Sequence, residues 1–391
     1  MKKLRVGVIY GGRSGEHEVS VASAASVFKH LDRDRYDPVA IRIEKDGRWA
    51  LVDKPPILMS AAEVIDQARL TAARPVRPGR EAHMVAHPGD ETLLTIEHRT
   101  TSTELDQART AIVNGLGLDV IFPVLHGPLG EDGTVQGLLE LANVPYVRAG
   151  VLGSAVGMDK AVMKTLFAAN GLPIGQYLVT SKRNWERDRD AFAGRVASEL
   201  GFPVFVKPAN LGSSVGISKA TTRAELTRAV DVASDFDRKI VVEAAVPNAR
   251  EIECAVLGND EPEASVPGEI IVTHPDGFYS YDAKYVDASG ASWKIPADIP
   301  QQISERVRRL SVEAFRALDL SGMARVDFLL ERTTGALYLN EVNTIPGFTT
   351  ISMYPKMWEA TGVPYSELLD RLIALALERH AEKQQFRTSV T

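Results

Sequence analysis

The sequence predicts an α/β protein built from two or three packed lobes, and three observations carry that expectation. The chain has 391 residues, more than the roughly 250–300 at which one hydrophobic core stops growing. Residues 4–10, Leu-Arg-Val-Gly-Val-Ile-Tyr, read as a buried strand, and Gly11-Gly12 turns the chain into a helical apolar pattern. A strand, a glycine turn and a helix in that order open an α/β unit. Near the C-terminus, two apolar stretches of strand length flank Thr333-Thr334-Gly335 and read as a hairpin.

Along the chain, Val19, Ala22, Val27 and Leu31 support a helix over about 17–31. Residues 53–112 break the pattern. Pro55-Pro56, Pro75, Pro78 and Pro88 stand among scattered charges, which reads as an elaborated insertion. The core pattern resumes as a strand at Leu118–Leu125 that runs into His126-Gly127. A helix over 133–142, a short strand at 145–147 and a boundary at Gly150 and Gly153 follow. Next comes a helix over about 158–170, ended by Gly171. Strands at 202–207 and 215–219 surround a glycine-serine loop, ahead of a helix at 223–233 and a strand at 239–243. Strands at 251–257 and 268–273 precede a helix over 301–318, with Ile303, Val307, Leu310, Ala314 and Leu318 on one side. The hairpin pairs 323–330 with 336–343, and a tail helix covers about 365–380.

Composition narrows the function classes. Hydrophobic residues make up 45% and charged residues 25%, as in ordinary globular proteins. A formal charge of −6 with mixed signs lacks the basic footprint of a nucleic-acid binder. The single cysteine, Cys254, rules out an intrachain disulfide and a thiolate metal cluster. Its place in Ile252-Glu253-Cys254-Ala255-Val256 reads as a small core residue. The N-terminus runs into a strand without a signal-peptide pattern, and no run of eighteen apolar residues occurs. A cytoplasmic protein without a membrane span is the expectation.

Four segments carry polar residues in patterns that suit chemistry. In a strand, alternate side chains share a face. Arg325 and Asp327 therefore share one face of Met323–Phe328, and Glu341 and Asn343 share one face of Leu337–Asn343. If the strands pair, two carboxylates and an amide oxygen converge, a donor set for hard Mg²⁺. Arg325 beside them suits a developing anion. A polar hairpin face in water is the alternative. The second segment is Lys207-Pro208 leading into Gly212-Ser213-Ser214-Val215-Gly216. Its small residues let backbone N–H groups and hydroxyls approach phosphate closely, although no Walker A pattern occurs. A turn with a solvated lysine is the plain reading. The same residues fit G-x-S-x-G, the serine hydrolase elbow, which needs a helix directly after the serine. Here Val215-Gly216-Ile217-Ser218 reads as a strand, which counts against a hydrolase. The third segment, Gly11–Glu18, places Glu16 and Glu18 at a helix start, where carboxylates commonly complement the dipole. In the fourth, His126 follows a strand, at the end where α/β proteins bind ligands, though a lone histidine is often structural.

Taken in order, these segments resemble the D-alanine–D-alanine ligase family, of ATP-grasp type, over nearly the whole chain. The matching pieces are Gly11-Gly12 with Glu16–Ser20, His126-Gly127 with Gly130–Gly133, and Met158-Asp159-Lys160. Then come Val206-Lys207-Pro208 with Gly212–Gly216, Tyr281–Tyr285, Arg325-Val326-Asp327, and Asn340–Gly347. The order of seven such pieces is far more specific than any one of them.

The resemblance implies three lobes: an N-terminal parallel-sheet lobe at 1–150 containing the 53–112 insertion, a central lobe at 151–245, and a C-terminal lobe at 246–391. ATP would lie between two antiparallel sheets of the last two. Lys160, Lys207 and Lys284 would contact its phosphates, with Ser214 and Asn340 in the same binding set. Glu243, Ala244, Ala245 and Val246 would present backbone to adenine, and Glu251 would hold the ribose. Asp327, Glu341 and Asn343 would hold two Mg²⁺, or Mn²⁺, with Glu341 bridging. Glu16 would bind the ammonium of the first D-alanine, with His126 near it and Ser213 and Tyr285 hydrogen-bonded to Glu16. Ser352 and the backbone at Met353 would take the carboxylate of the second. Arg325 and the Gly347 N–H would stabilise the oxyanion.

The implied reaction is ATP-dependent formation of D-alanyl-D-alanine through a D-alanyl phosphate, for peptidoglycan synthesis, cell wall biogenesis and cell shape. The implied assembly is a homodimer. Tyr285 in Lys-Tyr goes with dipeptide-forming members. Residues 53–112 are longer than in the leanest members, and Ala244 occupies a variable position in the adenine strip. Ile351 stands where some relatives have a polar residue, which leaves the acceptor contacts open. The competing readings are another ATP-grasp carboxylate–amine ligase and a non-catalytic nucleotide-binding protein. The presence of Asp327, Glu341 and Asn343 counts against the second.

Overall fold

The computed structural model describes residues 2–71, 80–100, 109–273, 291–349 and 351–387. It divides into two compact units. One comprises Met1–Val151 with Gly347–Ser352 and Pro364–Thr391; the other comprises Leu152–Pro346 with Met353–Val363.

Among the described residues, the first unit holds a seven-stranded sheet. Its strands are β1 (Leu4–Gly11), β2 (Tyr36–Ile43), β3 (Trp49–Val52), β4 (Arg80–Met84), β5 (Leu93–Thr100), β6 (Arg109–Leu116) and β7 (Val120–Pro123). The order is β6-β5-β4-β3-β2-β1-β7. Strand β1 is buried over Val6–Gly11, as a central strand covered on both faces should be. The helix His17–His30 links it to β2, and β7-β1-β2 are parallel. The rest of the sheet, β2 to β6, is antiparallel. The expected parallel sheet is therefore a mixed one.

That difference comes from the insertion. Residues 53–112 contribute the helix Ala61–Thr71, strands β4 and β5 and the start of β6, which extend the sheet edge. In β5, Leu93 and Thr95 are buried while Leu94 and Ile96 are half-buried, and in β6 both Ile112 and Val113 are exposed. Apolar residues on both faces cancel the period of two, so the strands were not legible. The expected strand at 145–147 is a single bridge, Ile121 to Tyr146.

The second unit holds two antiparallel sheets. The first, ordered β10-β9-β11-β8, comprises β8 (Tyr177–Ser181), β9 (Val204–Pro208), β10 (Ser218–Ala220) and β11 (Lys239–Ala244). Its core joins Val204, Val206, Ile240 and Val242 to Leu226 and Val230 of the helix Arg223–Ser234, with Trp185 beside them. The second comprises β12 (Ala249–Gly258), β13 (Glu263–Ala264), β14 (Gly268–Val272), β15 (Ala291–Lys294), β16 (Gly322–Glu331) and β17 (Leu337–Asn343). Its order is β15-β14-β12-β16-β17, with β13 on β12. The helix Gln301–Ala317 buries Val307, Leu310 and Ala314 of the predicted apolar side, and Leu318 just beyond it, together with Phe315, which the prediction did not include. Cys254 is fully buried in β12, and burial pushes its thiol up to about 11, which fits a core residue and not a nucleophile.

The expected helix at about 158–170 is Lys160–Ala169, and a further helix, Val151–Met158, occupies the expected boundary around Gly153, with Asp159 between the two. Asp159 caps the second, its carboxylate accepting from the N–H groups of Ala161 and Val162 at 3.1 Å and from Lys239 Nζ at 2.6 Å. Burial raises the pKa of this carboxyl, but Lys239 and the two N–H donors outweigh burial, and the net shift is downward. A depressed folded-state pKa gives a contribution fully present above the unfolded value of about 3.9 and lost as pH falls through the lower folded value. Asp159→Ala is expected to lower unfolding free energy by about 1–2 kcal/mol near neutral pH. Urea titrations of both proteins should show that gap closing as pH falls below the ordinary carboxylate range.

Candidate active site

Strands β16 and β17 pair antiparallel, with Asp327 opposite Glu341 and Arg325 opposite Asn343. The expected pairing is therefore present, and three of the four side chains, Arg325, Asp327 and Glu341, line one cleft. The register slips between Asp327 and Phe328, where Phe328 pairs with Leu339 and leaves Asn340 as the extra residue. This β-bulge brings the consecutive residues Asn340 and Glu341 to the same cleft, which strict alternation forbids.

The cleft lies wholly in the second unit, between its two sheets, and measures about 800 Å³ including its mouth. Strands β9 and β11 supply Phe205, Lys207, Glu243 and Ala244, with Val246 just beyond; Ser214 and Ile217 come from the glycine-serine loop. Strands β12, β16 and β17 supply Glu251, Glu253, Arg325, Asp327, Phe328, Asn340 and Glu341. Charged and polar side chains make up most of the lining, with Phe205, Ile217, Val246 and Phe328 as apolar wall between them, which suits a small ligand that carries charge.

One buried carboxylate organises the cations. Glu243 is 8% exposed. Its Oε2 accepts from Lys207 Nζ at 2.9 Å, and its Oε1 lies 3.3 Å from Lys164 Nζ. Lys164 also donates to the Asn340 carbonyl at 3.2 Å, and Lys207 to the Asn340 side-chain oxygen at 3.3 Å. Burial raises the Glu243 pKa, yet Lys164 and Lys207 together overcome it and hold the carboxyl below its ordinary value. Lys160 donates to the Leu211 carbonyl at 2.7 Å and lies 3.7 Å from Glu341. Ser213 and Ser214 adopt φ of +50° and +59°, the left-handed region that non-glycine residues rarely occupy. No helix follows them: the next element is the short strand β10. The hydrolase reading has no elbow to stand on.

Arg325 forks onto Asp327, with Nε–Oδ1 at 2.7 Å and Nη2–Oδ2 at 2.6 Å, and lies 3.2 Å from Glu253. Asn343 accepts from the Ile345 N–H at 2.9 Å. Carboxylates offer about four lone-pair sites each, so Asp327 and Glu341 retain capacity for a cation. Among the described residues, the cations Lys160, Lys164, Lys207 and Arg325 face the carboxylates Glu243, Glu251, Glu253, Asp327 and Glu341. A cleft with more carboxylates than cations repels a polyphosphate unless divalent cations accompany it. The carboxylate oxygens of Asp327 and Glu341 in that cleft are of the hard type that Mg²⁺ takes, and Asn343 pairs opposite Arg325 on the same strands.

In the strip expected to meet adenine, the Ala244 and Ala245 N–H groups donate to Gln176 and Pro203 carbonyls at 3.0 Å each and are engaged within the unit. Lys284 and Tyr285 lie outside the described residues. The alternation missed Lys164 and Glu253. Lys164 stands four residues after Lys160, on the same helix face, and its neighbours Ala161 and Met163 are buried. Glu253 alternates with Glu251 and pairs in register with Asp327.

The remaining candidates stand in the first unit. Glu16 is 7% exposed. Its Oε2 lies so near Gly127 that a Cβ there would come within 2.7 Å, so the glycine is required for this approach. His126 Nε2 lies 3.3 Å from Ser23 Oγ. Ser352 Oγ accepts from the Thr349 N–H at 3.0 Å, and a Cβ on Gly347 would meet it at 2.8 Å. Met353 opens the helix Met353–Thr361 and belongs to the second unit.

Comparison with known proteins adds to this geometry. The family described as D-ala D-ala ligase N-terminus matches residues 5–149, and D-ala D-ala ligase C-terminus matches residues 166–374. A D-alanine--D-alanine ligase of Heliobacterium modesticaldum is 50% identical over 385 residues, 98% of each chain. The solved D-alanine-D-alanine ligase of Coxiella burnetii is similar with a TM-score of 0.78 at 36% identity, covering 98% of this chain and 97% of that one. The VanG D-Ala:D-Ser ligase of Enterococcus faecalis reaches 0.74 at 32% identity, covering 96% and 100%.

Lys164→Met leaves Glu243 with Lys207 as its remaining lysine partner, and that pull competes with any anion in the cleft. Calorimetric titration with a non-hydrolysable ATP analogue should show affinity about tenfold weaker than wild type. Removing one partner of a buried ion pair should also lower stability by about 3 kcal/mol.

Proposed function

The chain belongs to the D-alanine–D-alanine ligase family, with the ATP-grasp fold, and we propose that it performs that family's reaction, joining two D-alanines with ATP hydrolysis to ADP. The observation that carries the reading is the β16–β17 pairing, which sets Asp327 against Glu341 in a cleft backed by Lys207 and Arg325. The product suits peptidoglycan precursor synthesis. Among the described residues no helix is long and apolar enough to cross a membrane.

The two sheets of the second unit are the gripping lobes on this reading, 151–245 and the part of 246–391 that precedes Gly347. Glu251 takes the ribose, Ala244 to Val246 the base, and Lys160, Lys207, Lys284, Ser214 and Asn340 the phosphates. Asp327, Glu341 and Asn343 would hold two Mg²⁺, which neutralise phosphate charge during transfer. Lys160 and Lys207 lower the repulsion between the first D-alanine's carboxylate and the γ-phosphate. In-line attack gives a D-alanyl phosphate and ADP. The second amine then attacks the activated carbonyl, a C–N bond forms, and inorganic phosphate leaves. Arg325 and the Gly347 N–H stabilise the oxyanion between these events, each such donor contributing about 3 kcal/mol.

Glu16 takes the ammonium of the first D-alanine, His126 lies near it, and Ser213 and Tyr285 take the family's closing roles. Ser352 and the Met353 backbone take the acceptor carboxylate. The assembly proposed is a homodimer. The VanG similarity makes D-serine a competing acceptor, but the 50% identity to a D-alanine--D-alanine ligase favours D-alanine.

Purified protein with ATP and Mg²⁺ should release phosphate with D-alanine and not with L-alanine. At neutral pH the product should be D-alanyl-D-alanine; mainly depsipeptide or a D-serine product would redirect the acceptor assignment. Glu341→Gln should reduce turnover at least about 10³-fold while circular dichroism stays unchanged. Near-wild-type turnover in that variant would remove the metal assignment.

A further inference from the structure

The loop Gly347–Ser352 is part of the first unit, although β17, which precedes it, belongs to the second. Phe348 anchors it. Its ring is fully buried and meets Phe122 edge-on at 6.1 Å and Tyr365 at 5.8 Å. Its N–H donates to Ser23 Oγ at 3.3 Å, and its carbonyl accepts from the Tyr365 hydroxyl at 2.7 Å. Ser23 Oγ also lies 3.3 Å from His126 Nε2, so one hydroxyl touches both the loop and the histidine.

Arg148 lies against this anchor. It is 1% exposed, and its guanidinium stands over the rings of Phe122 and Phe348, 5.8 Å and 5.5 Å from their centroids. Its Nε donates to the Pro123 carbonyl at 2.7 Å, which ties it to the end of β7. Its φ of +97° is a conformation that a residue other than glycine rarely adopts, so the surrounding contacts hold it there. A planar cation across two aromatic faces fixes both their separation and their tilt. Within the loop, Ser352 Oγ stands beside Gly347, where an added Cβ would meet it at 2.8 Å, so the two residues named for the acceptor side lie together.

We propose that Arg148 is a positioning residue for the second half of the reaction. It sets the seat of Phe348, and through Phe348 it sets the Gly347 N–H and Ser352. This inference rests on the ligase reading. An acyl phosphate has two fates. Attack by the acceptor amine forms a C–N bond, breaks the C–O bond to phosphate and releases inorganic phosphate and a proton. Attack by water breaks the same bond but returns free D-alanine. A loop that places the acceptor poorly shifts the balance toward water.

The test compares full-length wild type, Arg148→Met and Arg148→Lys with ATP, Mg²⁺ and D-alanine, measuring phosphate and dipeptide in the same samples. Wild type should give one phosphate per dipeptide. Arg148→Met should raise KM for the acceptor D-alanine about tenfold and release more than one phosphate per dipeptide, with KM for ATP unchanged. Arg148→Lys should fall between, because a cation remains over the rings while the bond to Pro123 is lost. If Arg148→Met does not fold, Phe348→Leu takes its place with the same readouts. One-to-one coupling with an unchanged acceptor KM, or a uniform fall in kcat with coupling intact, overturns the proposal. A wild type that makes no dipeptide overturns the underlying ligase reading instead.

Discussion

The Lys164–Glu243–Lys207 contact sets the charge of the cleft, and much of the surrounding geometry follows from keeping it. A buried ammonium is costly to maintain without a carboxylate, and a buried carboxylate equally so without a cation. Here one carboxylate serves two lysines, and both lysines also reach Asn340. The contact thereby joins the helix Lys160–Ala169, β9, β11 and the bulge of β17. It also holds positive charge in place before a polyphosphate arrives, so little reorganisation remains when one does.

Much of this was legible in the sequence because it depends on short-range rules. Alternation placed Arg325 with Asp327 and Glu341 with Asn343, and a glycine-bearing turn joined their strands. The apolar face of Gln301–Ala317 and the burial of Cys254 follow from equally local patterns. The glycine-serine loop was readable as a loop, and the strand after Ser214 excluded a nucleophile elbow.

What escaped has physical causes. A bulge is a feature of two strands together, so nothing in Asn340-Glu341 announces that both face the cleft. Lys164 looks like a surface lysine on an amphipathic helix until β11 brings Glu243 to it. The insertion hid its strands because apolar residues lie on both faces of the added edge, as Ile112 and Val113 show. The division of the chain was also less sequential than motif order suggests. Residues 347–352 and 364–391 group with the N-terminal unit and not with the sheet nearest in sequence.

That last grouping bears on how the molecule is made. The helix Tyr365–Lys383 buries Leu368, Leu369, Leu372 and Ile373, and Tyr365 stacks on His30 at 4.3 Å. His30 and Tyr365 are separated by more than three hundred residues, so an early-made segment waits for a late-made one before its apolar surface is covered. The nascent chain must carry an unfinished N-terminal unit until Pro364–Thr391 is made, although that unit's own strands are complete at Pro123. A chain stopped just short of Pro364 would therefore harm the half of the protein encoded earlier, not the half just finished.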